Sequence, residues 1–332
     1  MRYCFILSAF ICGVLFLGCN RSGAYKYTEG RIYGTFYHIS YASSEDLEVE
    51  IHRQMELVNA SLSMFNPQSV IARINRGESD TTDILFRKMF DKAIQVNRVT
   101  DGAFDITVAP LVNAWGFGYE KEVFPDSTRI DSLLLRVGMD KLTLEGNRIQ
   151  KAFPGVEMDA SSIAKGLGVD LVAEYFDRRG INNYMVEIGG EVRVKGESAK
   201  NRSWRIGIDR PEDDVTGESQ QLQLVVGLTS GTLATSGNYR NFYIHKGKKY
   251  VHTINPKTGY PIQTDILSAS VYAPTCMEAD AYATAFMVLG LKKAQQVIQK
   301  HSELEGCFIY QEQGALKTWM SDGMKKMIIE GE

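Results

Sequence analysis

The chain has 332 residues, of which 44% are hydrophobic and 23% are charged, a composition typical of a folded globular protein and not of a disordered chain. The formal net charge is -3, and basic residues are scattered among acidic ones, so nucleic acid is not an expected partner. Three of the five cysteines belong to the extreme N-terminus and only Cys276 and Cys307 remain in the body, which excludes a disulfide-stabilised scaffold.

Residues 1–18 are typical of a signal peptide, because Arg2 precedes an apolar run that is too short to span a bilayer. The run ends in Gly18-Cys19, and a small residue directly before a cysteine resembles the lipobox of lipoproteins, with Phe16 where an aliphatic residue is usual. We predict a lipidated Cys19, a tether over residues 19–29 and a membrane-anchored protein on the periplasmic side of the inner membrane. Ordinary secretion with cleavage near Gly18 is the alternative.

Amphipathic periodicity predicts helices in the first half of the mature chain. They are expected at about 46–62, 83–99, 126–137 and 163–179. Asp83 is the expected N-cap of the second helix, and Gly138 and Gly180 are expected to end the third and the fourth.

Short strand-like runs dominate the middle of the chain. They cover 141–144, 148–151, 184–188, 191–195, 204–209, 222–228, 242–245 and 267–272. The first two flank Glu145-Gly146-Asn147, which is a hairpin signal. Helices at about 277–289 and 292–301 and short C-terminal strands follow. We therefore predict an α+β fold over residues 30–332, in which a mainly antiparallel sheet is backed by helices.

Asp280 and Thr284 form a candidate metal site. They are four residues apart, so on a helix their oxygens point the same way. A carboxylate and a hydroxyl are hard ligands that suit Mg²⁺, which also accepts waters and phosphate oxygens. Taken alone, such a pair is more often solvated than bound to a metal.

A second candidate segment runs from Glu157 to Gly166, at the predicted start of a helix. Free N–H groups at a helix start attract anions, and Lys165 adds a positive charge for phosphate. An ordinary N-cap at Ser161 or Ser162 is the alternative. Gly166-Leu167-Gly168 lacks the third glycine of a dinucleotide-binding fingerprint, so we do not expect a Rossmann fold.

A third candidate is His252, which ends a strand and enters a turn that contains two prolines and a glycine. It could accept a proton near neutral pH, although a surface histidine beside a turn is the alternative. The segment from Gly231 to Arg240 offers small residues for close backbone approach and Arg240 for a carboxylate or phosphate. It could equally be a plain strand-turn-strand.

Together and in this order, these segments resemble the ApbE family of FAD:protein FMN transferases. The resemblance extends from Tyr33-Gly34-Thr35 to Leu289-Gly290, nearly all of the mature chain. Further matching blocks are Leu62 to Pro67, Arg73 to Asn75, Gly102 to Gly118 and Glu187 to Glu191.

The resemblance implies a fold related to the T-fold and a transferase. Its reaction would move the FMN part of FAD to a Thr or Ser hydroxyl of an acceptor protein, giving a phosphoester-linked flavin and AMP. The resemblance also implies Mg²⁺ held by the side chains of Asp280 and Thr284 and by the backbone carbonyl of Ser162. It places FAD against Tyr33, Phe65, Ala103, Phe104, Asp105, Asp159, Lys165 and Ile254. We expect His252 to act as the base. Asp280 is expected to hold the metal, and Lys165 to stabilise the charge of the phosphate.

The chain departs from the family pattern at five positions, including Ser161 and Ser162, which replace residues that are often Gly, Ala or Thr. Tyr33 replaces a residue that is commonly Met, Asn255 one that is commonly Asp, and Lys257 one that is commonly Arg. Expected acceptors are subunits of membrane redox complexes or exported flavoproteins. Two other functions stay open: a Mg²⁺-dependent FAD pyrophosphatase that gives FMN and AMP, and a flavin-binding lipoprotein without catalysis.

Overall fold

The computed structural model describes residues 24–118, 124–211, 221–239 and 241–329. The predicted signal peptide, the predicted lipidation site Cys19 and the candidate Arg240 lie outside these residues. Within the described ranges, no helix combines the length and the apolar character needed to cross a membrane.

All six predicted helices are present among the described residues, which also contain three α-helices that were not predicted. The α-helices are α1 (Glu48–Leu62), α2 (Val70–Asn75), α3 (Ile84–Val99), α4 (Ala109–Ala114), α5 (Ser127–Leu134), α6 (Ala164–Arg178), α7 (Cys276–Leu289), α8 (Leu291–Lys300) and α9 (Asp322–Met327). Those that were not predicted are α2, α4 and α9. The predicted N-cap is confirmed, since the Asp83 side chain accepts from the N–H of Phe86. Helix α5 ends three residues before the predicted Val137, because Arg136 and Val137 donate to carbonyls only three residues back.

The strands include every predicted run and several that were missed. They are β1 (Tyr25–Ile32), β2 (Thr35–Ala42), β3 (Leu142–Glu145), β4 (Arg148–Lys151), β5 (Tyr184–Ile188), β6 (Glu191–Lys195), β7 (Trp204–Asp209), β8 (Leu222–Leu228), β9 (Ser230–Gly237), β10 (Phe242–His245), β11 (Lys248–Val251), β12 (Ile266–Tyr272), β13 (Glu305–Glu312) and β14 (Ala315–Met320). The predicted hairpin is the antiparallel pair of β3 and β4.

A large antiparallel sheet organises the molecule. In the described residues it has eight strands in the order β1-β2-β5-β6-β9-β12-β13-β14. Helix α6 lies against β5 and β6, helix α7 lies against β9 and β12, and the two helices pack on each other. The opposite face packs its apolar side chains with the β7–β8 hairpin and α9. The prediction of an α+β fold with a mainly antiparallel sheet is confirmed.

One predicted boundary is wrong. Strand β1 begins at Tyr25, so it takes the last five residues of the segment 19–29 that was assigned to a tether. The physical reason is pairing, because every residue from Tyr25 to Ile32 has a partner in β2. The turn between the strands has positive φ at Tyr33 (51°) and Gly34 (76°), as a tight hairpin requires.

Candidate active site

A cavity of about 980 Å³ opens beside α1, α6 and α7, at the upper end of the range for ligand pockets. All of the predicted site residues line it: Tyr33, Phe65, Ala103, Phe104, Asp105, Asp159, Ser162, Lys165, His252, Ile254, Asp280 and Thr284. The fold therefore brings segments from most of the chain to one place. Their individual roles stay predictions.

The start of α7 is fixed by a buried carboxylate. The two oxygens of Asp170, on α6, accept from the N–H groups of Cys276 (3.1 Å) and Met277 (2.9 Å). Arg193 donates to the same carboxylate at 2.8 Å. Burial raises the pKa of Asp170, although these hydrogen bonds and the guanidinium lower it in part. Helix α7 is thus anchored about one turn before Asp280.

Gly166 allows α6 and α7 to approach closely. A Cβ at this position would lie 2.3 Å from the carbonyl oxygen of Cys276, so a larger residue would push the helices apart. Its backbone N–H donates to Oδ2 of Asp280 at 3.0 Å. Gly168 has a similar role beside the ring of Tyr33, where a Cβ would come within 2.9 Å of ring atoms. Gly166 therefore serves the packing of α6 on α7, and Gly168 leaves room for the Tyr33 ring.

The alternative of a serine N-cap at Ser161 or Ser162 is wrong. Helix α6 begins at Ala164, its N-cap position is Ile163, and no side chain caps it. The reason is that the N–H of Ser161 donates to the Asp159 side chain and the chain makes one tight turn before the helix.

Three oxygen groups at the cavity can hold a cation. Asp280 is buried in α7, and the hydroxyl of Thr284 follows one turn later, 3.2 Å from the Ser236 hydroxyl. Among the described residues, no N–H donates to the Ser162 carbonyl, since the N–H of Gly166 donates to Asp280 instead. A carbonyl without a donor is available as a ligand.

This ligand set fits Mg²⁺. Among the described residues there is no cluster of three or more His, Cys, Asp or Glu side chains that could hold a metal. A carboxylate, a hydroxyl and a carbonyl would leave positions for water and phosphate oxygens, as Mg²⁺ prefers.

Lys165 lies between two buried carboxylates. Its Nζ is 3.3 Å from Oε1 of Glu191 and 3.5 Å from Oδ1 of Asp280. Burial alone would lower the pKa of Lys165, but the two carboxylates outweigh it and raise the pKa, so the ammonium is charged. Glu191 was visible at the end of a family block, yet no role was predicted for it, because its partners are distant in sequence.

The loops that carry Asp105 and Asp159 are joined to each other and to α2. The N–H of Asp159 donates to the carbonyl of Ile106 at 2.6 Å. The side chain of Asn75 bonds both the N–H and the carbonyl of Met158. Asp105 accepts from the N–H and hydroxyl of Thr107, which lower its pKa, but burial is the larger effect and raises it.

His252 lies at the cavity wall after β11. Its Nδ1 is 3.1 Å from the carbonyl oxygen of Asn241, and since a carbonyl only accepts, Nδ1 carries the proton in the neutral ring. The other nitrogen, Nε2, is then free to accept. Burial lowers the pKa of His252 from its usual 6.5, against the contribution of the Asn241 carbonyl, and the charge of Lys165 lowers it further. A neutral imidazole is suited to act as a base.

The turn after His252 is formed although Asn255 and Lys257 depart from the family pattern. Oδ1 of Asn255 accepts from the N–H groups of Lys257 (2.9 Å) and Thr258 (3.3 Å), a bond pattern that needs an oxygen but no charge. Lys257 donates to Asp101 at 2.6 Å, next to the loop of Ala103. Neither departure from the family pattern therefore alters the cavity wall.

The two aromatic residues that the family resemblance places against FAD differ in their contacts. The hydroxyl of Tyr33 donates to the carbonyl of Met55 at 2.6 Å, which fixes the ring beside α6. Phe65 is 68% exposed at the cavity rim. Phe65 thus presents an exposed ring at the cavity entrance, and Tyr33 forms part of the wall.

The fold and the site define a class: an α+β protein whose large cavity brings a buried carboxylate, a charged lysine and a histidine together with aromatic side chains, as a phosphorylated aromatic ligand requires. The chain belongs to the ApbE family, whose model matches residues 33–308. The predicted family is confirmed.

Several relatives are similar over almost their whole length. A FAD:protein FMN transferase of Haemophilus influenzae is 40% identical, with 93% of each chain covered. One of Vibrio cholerae is 36% identical, covering 95% of this chain and 96% of the relative. A solved structure of the flavin transferase ApbE from Vibrio cholerae has a TM-score of 0.82 at 35% identity, covering 92% of this chain and 99% of that one.

Proposed function

We propose that this chain transfers the FMN part of FAD to a Thr or Ser hydroxyl of an acceptor protein, with Mg²⁺, forming a phosphoester and releasing AMP. The observation that carries the proposal is the convergence of all predicted site residues on one cavity, where the ammonium of Lys165 lies 3.5 Å from Oδ1 of Asp280. The predicted enzyme class, a FAD:protein FMN transferase, is confirmed by the relatives.

The proposed reaction breaks one phosphoanhydride bond and forms one phosphoester bond. The acceptor hydroxyl gives its proton to Nε2 of His252 as its oxygen bonds to the FMN-side phosphorus. The bond from that phosphorus to the bridging oxygen breaks, and AMP leaves with the electron pair. The lowered pKa of His252 supports this role, because the ring is neutral at the start.

Other residues of the cavity would stabilise the negative charge of the phosphates. Asp280, Thr284 and the Ser162 carbonyl would hold Mg²⁺, which neutralises charge on the diphosphate when bound. Lys165 keeps its proton and stabilises the negative charge that grows on the leaving side.

The proposal is tested with the Asp280→Ala variant, incubated with FAD, Mg²⁺ and a candidate acceptor. Mass spectrometry of the acceptor should find covalent FMN with the wild-type chain and almost none with the variant. The matched control is Asp131→Ala, which removes an exposed carboxylate on α5 and should transfer normally. Undiminished attachment by Asp280→Ala would contradict the metal assignment.

The same assay without acceptor separates the other candidate functions. A transferase should release little AMP until an acceptor is added. Equal FMN and AMP with and without acceptor would indicate a pyrophosphatase, and no AMP over long incubation would indicate a binding protein.

We also propose that Cys19 is lipidated and that the enzyme acts outside the cytoplasm on membrane redox-complex subunits or exported flavoproteins. The apolar run that ends in Gly18-Cys19 supports this proposal. A Cys19→Ser variant should leave the membrane fraction and lose the mass of the lipid. Retention of the variant in the membrane with unchanged mass would contradict the anchor.

A further inference from the structure

Glu191 is a buried acid in the cavity wall to which the proposed reaction assigns no role. It begins β6, directly after the turn Gly189-Gly190, and its side chain is 3% exposed. Oε1 faces Lys165, whereas Oε2 has no hydrogen-bond partner among the described residues. A buried oxygen without a partner is unfavourable and rare in folded proteins, so a second state that satisfies it is expected.

In contrast to Glu191, Asp280 has an interaction partner for each of its two carboxylate oxygens. Oδ2 accepts from the N–H of Gly166, and Oδ1 faces the ammonium of Lys165 at 3.5 Å. A cation that binds Asp280 through Oδ1 must therefore take the place of Lys165, and the two positive charges repel each other. Lys165 then needs another acceptor, and its ammonium has three N–H groups to satisfy.

We propose that Glu191 is a positioning residue that holds Lys165 away from Asp280 when a divalent cation binds. The ammonium moves fully onto Glu191, Oε2 gains its missing partner, and Oδ1 of Asp280 becomes free for the cation. This inference rests on the proposed function in one respect, the assignment of Asp280 as a ligand.

Charge supports the same conclusion. Burial raises the pKa of the Glu191 carboxyl, and the Lys165 ammonium opposes this rise. Full contact with Lys165 therefore favours the charged carboxylate. Without the Glu191 charge, Lys165 and Asp280 form a neutral pair that the cation must break. Glu191 is therefore required for cation binding only while Lys165 is present. In a variant without Lys165, cation binding should no longer depend on Glu191.

The test is a calorimetric titration of Mg²⁺ into the full chain. Glu191→Gln should weaken Mg²⁺ binding at least tenfold. The double variant Lys165→Met/Glu191→Gln should bind Mg²⁺ more tightly than Glu191→Gln alone, because the competing ammonium is gone. A purely structural role of Glu191 would not produce this rescue.

Two further variants serve as controls. Glu174→Gln breaks another carboxylate–lysine pair, with Lys88 at 2.7 Å, on a half-exposed face of α6 outside the cavity, and should leave Mg²⁺ affinity unchanged. Glu191→Asp retains the charge and should bind Mg²⁺ better than Glu191→Gln. If thermal unfolding shows that Glu191→Gln does not fold, Glu191→Asp is compared with the wild type. Its shorter side chain reaches Lys165 less well and should weaken Mg²⁺ binding, and unchanged affinity would count against the role of Glu191.

The outcomes separate this inference from the proposed function. Two results would overturn the role of Glu191 without affecting the proposed transferase function. One is wild-type Mg²⁺ affinity in Glu191→Gln, and the other is a double variant that binds Mg²⁺ no more tightly than Glu191→Gln. No Mg²⁺ binding by the wild-type chain would overturn the inference together with the metal assignment. Failed flavin transfer with the Mg²⁺ effects as expected would count against the proposed reaction alone.

Discussion

The backbone N–H of Gly166 donates a hydrogen bond of 3.0 Å to Oδ2 of Asp280, and so joins α6 to α7 at the metal-ligand candidate. The bond orients the carboxylate, because with Oδ2 held by the backbone, Oδ1 is the oxygen that faces Lys165. The contact depends on the missing side chain of Gly166, since any Cβ would overlap the Cys276 carbonyl.

Gly166→Ala should therefore reduce both stability and metal binding. Overpacking of a tight helix contact costs about 1–3 kcal/mol, which lowers Tm by several degrees. The displaced α7 should also weaken Mg²⁺ binding, because Asp280 loses its backbone donor. Calorimetry measures both quantities. An alanine variant with unchanged Tm and Mg²⁺ affinity would show that the two helices are not in close contact here.

Asp170→Asn should destabilise the fold more than a surface substitution does. Asparagine retains one acceptor but leaves Arg193 without its buried counter-charge, and such losses cost up to about 3–5 kcal/mol. Denaturant unfolding measures the change. The control is Asp177→Asn, since Asp177 faces the same Arg193 at 3.4 Å but is 34% exposed, and exposed pairs contribute about 0–1 kcal/mol. Similar losses in the two variants would contradict the anchoring role of Asp170.

Phe65→Ala should weaken FAD binding and leave stability unchanged. An aromatic stack contributes about 0.5–1.5 kcal/mol, so we expect a roughly three- to tenfold rise in the Kd for FAD, measured by quenching of flavin fluorescence. The control is Phe36→Ala, because Phe36 is 55% exposed on β2 but does not line the cavity. Equal effects of the two substitutions would remove Phe65 from the flavin contact.

Much of the fold was predictable because local signals agreed with tertiary structure. The helix that follows Asp83 has both a capping side chain and a continuous apolar face, so its bounds could be given correctly. Strand β1 was missed because it is an edge strand with many polar residues, such as Lys26 and Glu29, and a glycine, so no apolar run marks it. Its pairing with β2 is a tertiary property.

The site could be predicted from residue patterns only where its residues are close together in the sequence. The spacing of Asp280 and Thr284 on one helix could be read directly, and both line the cavity. The burial of Glu191 and the close contact at Gly166 depend on how β6, α6 and α7 pack together. The residue pattern within each of these elements does not predict the distances between them. The glycine pair at 166 and 168 was recognised only as an incomplete nucleotide fingerprint.

His252 should set the acid limb of the pH profile. Its neutral form is the base, and burial lowers its pKa below 6.5, so transfer should persist at neutral pH and fall only as the pH drops through that lowered pKa. His252→Asn keeps a polar side chain that can bond the Asn241 carbonyl but cannot accept the proton, and should lower kcat by roughly 10²–10⁴-fold. The measurement is kcat against pH at saturating FAD and acceptor. A wild-type limb above pH 6.5, or one that persists in the variant, would assign the proton to another group.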